Sequence, residues 1–175
     1  MSDTSRSLAA IQALLADNTS QDISAQDLRD AVVSVFGNYA EIYQSGTSFT
    51  TLAVGAADEK LVTTMVDGLD SGGCAADAAN QKITVTVDGV YLVIMSGLFR
   101  CTGTHEEFYS IGISDLTPEI YIQWLTADQN EVRMLSMWAL ATVTTSKDFY
   151  IRSGTSSSEQ DLDFSQLRLT VLRIG

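Results

Sequence analysis

The sequence predicts a mainly β chain, a sandwich or barrel, preceded by two short α-helices. Three observations carry this reading. The hydrophobic pattern changes period near Gly37, from helical spacing before it to alternation after it. Many short runs rich in β-branched and aromatic residues follow, separated by turn-rich stretches. Apolar residues make up 45% of the 175 and charged residues 18%, which is the reverse of a disordered composition and enough to build a core. The expected organisation is a helical segment over 1–37 and a β domain over 38–175.

In the first segment, Leu8, Ile11, Leu14 and Leu15 recur at helical spacing, with alanines between them. Asp17-Asn18-Thr19-Ser20 ends that helix, because these side chains compete for backbone hydrogen bonds. Ser24 is the N-cap of the second helix, with Asp27 three residues on as a capping-box variant. Leu28, Ala31, Val32, Val35 and Phe36 line one face, and Gly37 stops the helix. Two helices of this length are marginal in water without something to pack on. They pack either on their own β domain or on another chain, as an anchor.

After Gly37 the period is two. Ile83, Val85 and Val87 share one face, and Asp88-Gly89 reads as a turn. Val90 to Arg100 follows and is apolar on both faces. Val90, Leu92 and Ile94 lie on one side, Tyr91, Val93 and Met95 on the other. One side serves the core; the other needs a cover, from a neighbouring subunit or from a loop such as Asp67–Asn80. Further strands are expected at Phe108–Ile113, Glu119–Leu125, Val132–Val143, Phe149–Arg152 and Leu167–Ile174, with weaker ones at Tyr39–Tyr43 and Lys60–Thr64. Turn-rich stretches are expected at Asp67–Asn80, Cys101–Thr104, Thr126–Asn130, Thr144–Asp148 and Gly154–Asp163.

Charge and residue inventory exclude several functions. Ten Lys and Arg against 22 Asp and Glu leave a net −12, spread along the chain. Such a surface repels phosphate backbones and anionic membranes, so neither nucleic acid nor membrane is an expected partner. The polar Met1–Arg6 start has no long apolar region after it, so the chain is expected to be made and kept in the cytosol, or assembled into a particle there. There is one histidine, His105, and two cysteines, Cys74 and Cys101, in no CxxC pattern. The expectation for each thiol is a buried, inert group, with a Cys74–Cys101 bridge as the alternative.

Candidate chemistry is sparse. Asp70-Ser71-Gly72-Gly73 resembles a serine-protease nucleophile motif, but His105 follows the serine where that chemistry has it precede. His105-Glu106-Glu107 lacks the second histidine of a zincin. Asp67, Asp70 and Asp77 could gather round a calcium ion, but their spacing matches no EF-hand and a solvated loop is the plainer reading. Trp124 and Trp138 are read as core or interface rather than as sugar-stacking rings. No enzyme site can be assembled and no cofactor or metal is expected.

Ile83–Val87, Asp88-Gly89-Val90-Tyr91-Leu92-Val93 and Gly97-Leu98-Phe99 together resemble the central hairpin of the tumour-necrosis-factor-like and complement-globular-head-like jelly rolls. The closing Leu167–Gly175 is similar to the last strand of that superfamily. Leu15–Phe36 resembles a segment near the N-termini of bacteriophage structural proteins such as fibres and head appendages. Glu119–Trp138 departs from the pattern, so no loop role carries over. The resemblance implies a jelly-roll β-sandwich, usually a homotrimer with aromatic residues at the three-fold contact, here drawn from Tyr91, Phe99, Phe108, Tyr109 and Tyr150.

The function expected is a structural component of a phage virion. It would be a homotrimeric decoration or head-appendage protein, held on the major capsid protein or another virion protein. The anchor residues would be Leu8, Ile11, Leu14, Leu15, Leu28, Val32, Val35 and Phe36. The alternative is the tip of a tail fibre that binds host surface glycans.

Overall fold

The computed structural model describes residues 37–53, 59–60, 65–101, 107–114, 120–126, 131–155 and 161–175. The two expected helices, with their anchor residues, fall within 1–36 and lie outside the described residues, as does His105. In chain order the strands are β1 Tyr39–Gln44, β2 Thr50–Ala53, β3 Glu59–Lys60, β4 Met65–Ser71, β5 Cys74–Asp77, β6 Lys82–Val85, β7 Gly89–Cys101, β8 Glu107–Ser114, β9 Ile120–Thr126, β10 Val132–Val143, β11 Lys147–Thr155 and β12 Asp161–Arg173. A single 3₁₀ turn, Ala78–Asn80, sits between β5 and β6.

The strands form two antiparallel sheets. The first runs β10-β7-β12-β1-β4, with β2 also paired to β12. The second runs β5-β6-β11-β8-β9, with β3 also paired to β11. Their inner faces meet in one core. From the first sheet come Ile42, Tyr91, Val93, Met95, Phe99, Phe164, Leu169 and Val171, all essentially without exposure. The second contributes Cys74, Ile83, Val85, Ile113, Phe149 and Ile151. Phe99 and Phe164 meet edge to face, with ring centroids 5.1 Å apart, the arrangement that the aromatic quadrupole favours. The Tyr91 hydroxyl donates to the Val87 carbonyl at 2.7 Å, so its ring is buried without stranding a polar group.

The stretch Asp67–Asn80, expected to be turn-rich, instead carries most of β4, a tight turn that crosses from the first sheet to the second, β5 and the 3₁₀ turn. Its strand pattern is hidden because the β1–β4 register shifts between Ala40 and Ile42, and such an irregularity breaks period two. Tight turning comes from Gly72 and Gly73. Gly72 adopts φ +68°, and a Cβ there would lie 2.4 Å from Asn38 Oδ1. Buried Asn38 uses that same oxygen to accept the Gly73 N–H at 2.7 Å. A second irregularity lies in β12, where the register to β7 shifts between Ser165 and Arg168 and Gln166 takes φ +55°.

Candidate assembly surface

Strand alternation places two sets of side chains on the first sheet, one inward and one outward. On β10 the inward set is Met137, Ala139, Ala141 and Val143, all buried. The outward set includes Met134, Trp138 and Leu140, exposed at 79%, 66% and 58%. At the centre of the strand, Ala139 and Ala141 therefore face the core while Trp138 and Leu140 face out, large apolar side chains where a solvated face selects polar ones.

Register extends this set across the sheet. Leu140 lies opposite Leu92 of β7, Leu92 opposite Leu172 of β12, and Leu172 opposite Tyr39 of β1. In the next row Trp138 lies opposite Ile94, and Ile94 opposite Thr170. Directly opposed residues share a face, so these form one apolar surface spanning four strands. Ile174, 53% exposed, lies just beyond β12. The surface becomes polar in the row Ser136, Ser96, Arg168 and Tyr43. There Arg168 Nε pairs with Glu41 at 3.0 Å and the guanidinium stands 5.9 Å from the Tyr43 ring centre. Among the described residues, β10 pairs only with β7, leaving a twelve-residue strand with an open edge and exposed apolar side chains. A flat apolar edge of that length is a template for association unless something covers it.

With this geometry in view, comparison with known proteins is informative about fold alone. No family model and no curated protein matches the chain. Solved structures do. An Eiger TNF from S. frugiperda superposes at TM-score 0.53 with 8% identity, covering 79% of this chain and 92% of that one. The globular domain of a zebrafish complement 1qA protein gives 0.51 at 12% identity, covering 79% and 98%. The PRD1 vertex protein P5 gives 0.52 at 12% identity, covering 80% and 99%. The fold is a tumour-necrosis-factor-like jelly roll.

Within this jelly roll the five aromatic residues expected at a subunit contact do not share a surface. Tyr91 and Phe99 point into the sandwich and are buried in their own protomer. They have no surface to offer a second chain. Tyr150 lies on the outer face of the second sheet, where its hydroxyl accepts from Arg152 Nη2 at 3.0 Å. Phe108 and Tyr109 lie in β8, and their side chains are outside the described residues. The sequence carried the signal that corrects Tyr91 and Phe99. Both share parity with Val93 and Met95, so one decision about β7 assigns all four. Trp138 and Leu140 were missed as a pair because the interleaved Ala139 and Ala141 are too small to announce a core face.

The other candidates resolve into structural roles. Cys74 is a free, buried thiol, so the alternative of a bridge to Cys101 does not hold. Burial pushes its pKa up to about 12, assisted by Asp70 and opposed by Arg173. Asp67 Oδ1 accepts the Ala78 N–H, Asp70 Oδ2 the Ala76 N–H and Asp77 Oδ1 the Asn80 N–H. These carboxylates thus tie β4 to β5 and fix the 3₁₀ turn. Among the described residues, no three His, Cys, Asp or Glu side chains gather as a metal site. The Ser71 hydroxyl donates to the Gly37 carbonyl.

Proposed function

We propose that this chain is a non-enzymatic structural protein of a phage virion, a homotrimer that decorates the capsid or forms a head appendage. The observation that carries the self-association is the centre of β10, with Trp138 and Leu140 outward and exposed at 66% and 58%. Trp138 and Leu140, the most exposed of these, would each contribute on the order of 1–2 kcal/mol when covered by a second copy, with smaller shares from the half-buried Leu92, Ile94 and Leu172. The fold supports three-fold association, since the resemblance is to jelly rolls that are usually trimers. The virion reading is supported by the N-terminal segment Leu15–Phe36 and by the presence of a phage vertex protein among structures of this fold. The apolar stripes of residues 1–37 are the attachment element, and the major capsid protein is their partner.

The test is quantitative mass spectrometry of purified virions. Hundreds of copies per particle, in multiples of three, are expected for a decoration. A dozen or fewer copies, or absence from the particle, overturns the reading in favour of a tail part or of no virion role.

A further inference from the structure

The first sheet ends in two edge strands, β10 and β4, and they are built differently. Along β10 the register to β7 runs without interruption from Val132–Arg100 to Val143–Gly89. Along β4 it is broken. Asp67 lies opposite Ile42 and Asp70 opposite Ala40, so Gly68 and Leu69 together face Glu41 alone. Two residues against one is a β-bulge. The close approach needs a glycine, since a Cβ at residue 68 would lie 2.8 Å from the Glu41 carbonyl oxygen.

The bulge decides where two carboxylates point. Residues three apart on a regular strand lie on opposite faces. Here Asp67 and Asp70 both lie opposite residues buried in the core, Ile42 and Ala40. Both are therefore turned to the inner side of β4, at the margin of the sandwich that it shares with β5. Asp70 Oδ2 accepts the Ala76 N–H at 3.0 Å, and Asp67 Oδ1 accepts the Ala78 N–H at 2.6 Å. Among the described residues, β5 pairs only with β6, so it is an edge of the second sheet. Ala76 and Ala78 are two apart, so their N–H groups leave the chain on the same side, away from β6. These are the donors that an added strand would use.

This margin therefore refuses a further strand twice. The bulge breaks the edge of β4, and the carboxylates occupy the donors of β5. Bulges and inward-pointing charges are the means by which sheets block edge-to-edge pairing. There is something to block, because Leu69 stands in the bulge as an apolar side chain 74% exposed on an open edge. The strand best suited to add there is β10 of another copy, which is long, unbroken and apolar on its outer side. Such a joining of unlike edges in line would propagate as an open filament.

We infer that Asp67 and Asp70 bar a second copy's β10 from this margin, so that self-association stops at a closed assembly. The inference rests on the proposed self-association for the identity of the incoming strand.

Sedimentation velocity at micromolar concentration tests it on the native chain, Asp67→Ala/Asp70→Ala and Asp67→Asn/Asp70→Asn. Alanine removes both acceptors, whereas asparagine removes the charge and keeps an acceptor oxygen at each position. The alanine pair should form folded species that are heavier than the native assembly and grow with concentration, while the asparagine pair keeps the native mass. A folded alanine pair of native mass overturns the inference. So does an asparagine pair that polymerises equally, since charge alone would then be the barrier. Hydrogen exchange reads the same contacts one at a time. Asp70→Ala should lower protection of the Ala76 amide about tenfold or more, as a charge-assisted hydrogen bond is lost. Native Ala76 and Ala78 amides that exchange as fast as exposed loop amides overturn the inference, even where the alanine pair fails to fold. A monomeric native chain whose alanine pair polymerises breaks the proposed trimer and supports the barrier.

Discussion

The two outer faces of this sandwich obey the same strand geometry and carry opposite chemistry. On the first sheet the outward positions hold Trp138, Leu140, Leu92, Ile94 and Leu172. On the second they hold Lys82, Thr84, Asp148, Tyr150 and Arg152. Alternation decides only which side chains share a face. Whether that face is apolar is decided by what covers it, and the β6–β11 part of the second sheet is built for water while the Trp138–Leu140 rows of the first are not.

The sharpest way to break this contrast is to truncate an inward aromatic and an outward one on neighbouring strands. Phe99→Ala removes a ring wholly enclosed with Phe164 and is expected to lower the unfolding free energy by about 3–5 kcal/mol. A urea midpoint reads it directly. Trp138→Ala is expected to leave the circular dichroism spectrum unchanged and to weaken self-association about thirtyfold, as for an interface hot spot. If the two substitutions have the same effect, the distinction between core and assembly face collapses.

A smaller effect is expected at the turn that joins β4 to β5. Gly72→Ala forces a Cβ into Asn38 at φ +68° and should cost about 1–3 kcal/mol, measured by thermal unfolding. Association should be little affected in the residual folded protein, since the turn touches the apolar rows only at their Tyr39 end and has three strands between it and β10.

Much of this arrangement was legible in the sequence. The expected Val132–Val143 strand is β10, and Val90–Arg100 lies within β7. Both are long, strongly patterned segments bounded by turn residues. The need for a cover over one side of β7 was also legible, from its two apolar faces. Which side was outward was not, because Tyr91 and Leu92 are equally apolar and the answer depends on the turn at Asp88-Gly89 and on pairing with β10 and β12. Strand β4 was hidden by a bulge, and the Lys82–Asp148 ion pair by distance. Its two residues stand 66 apart in the chain. No local motif marks such a pairing.

The least costly prediction concerns alkaline pH. Burial pushes the Tyr91 phenol and the Cys74 thiol each up to about 12, from ordinary values of 10.0 and 9.0. A group raised in the folded state holds its proton there and loses it sooner when unfolded. Its stabilising contribution is therefore complete below about pH 9 and is lost as pH rises towards 12. Urea midpoints measured across that range should fall, and Tyr91→Phe should remove the part of the fall that begins near pH 10. Flat midpoints would mean that these groups are solvated.

The central claim is that the apolar outer face of the first sheet is shared between copies of this chain. Sedimentation equilibrium of the full chain at micromolar concentration tests it most directly, with Leu140→Asp run beside it. The account predicts a mass three times 18.9 kDa for the native chain and 18.9 kDa for the variant, whose carboxylate cannot be buried in that face unpaired. A native chain that sediments at 18.9 kDa, or a Leu140→Asp variant that keeps the native mass, contradicts it.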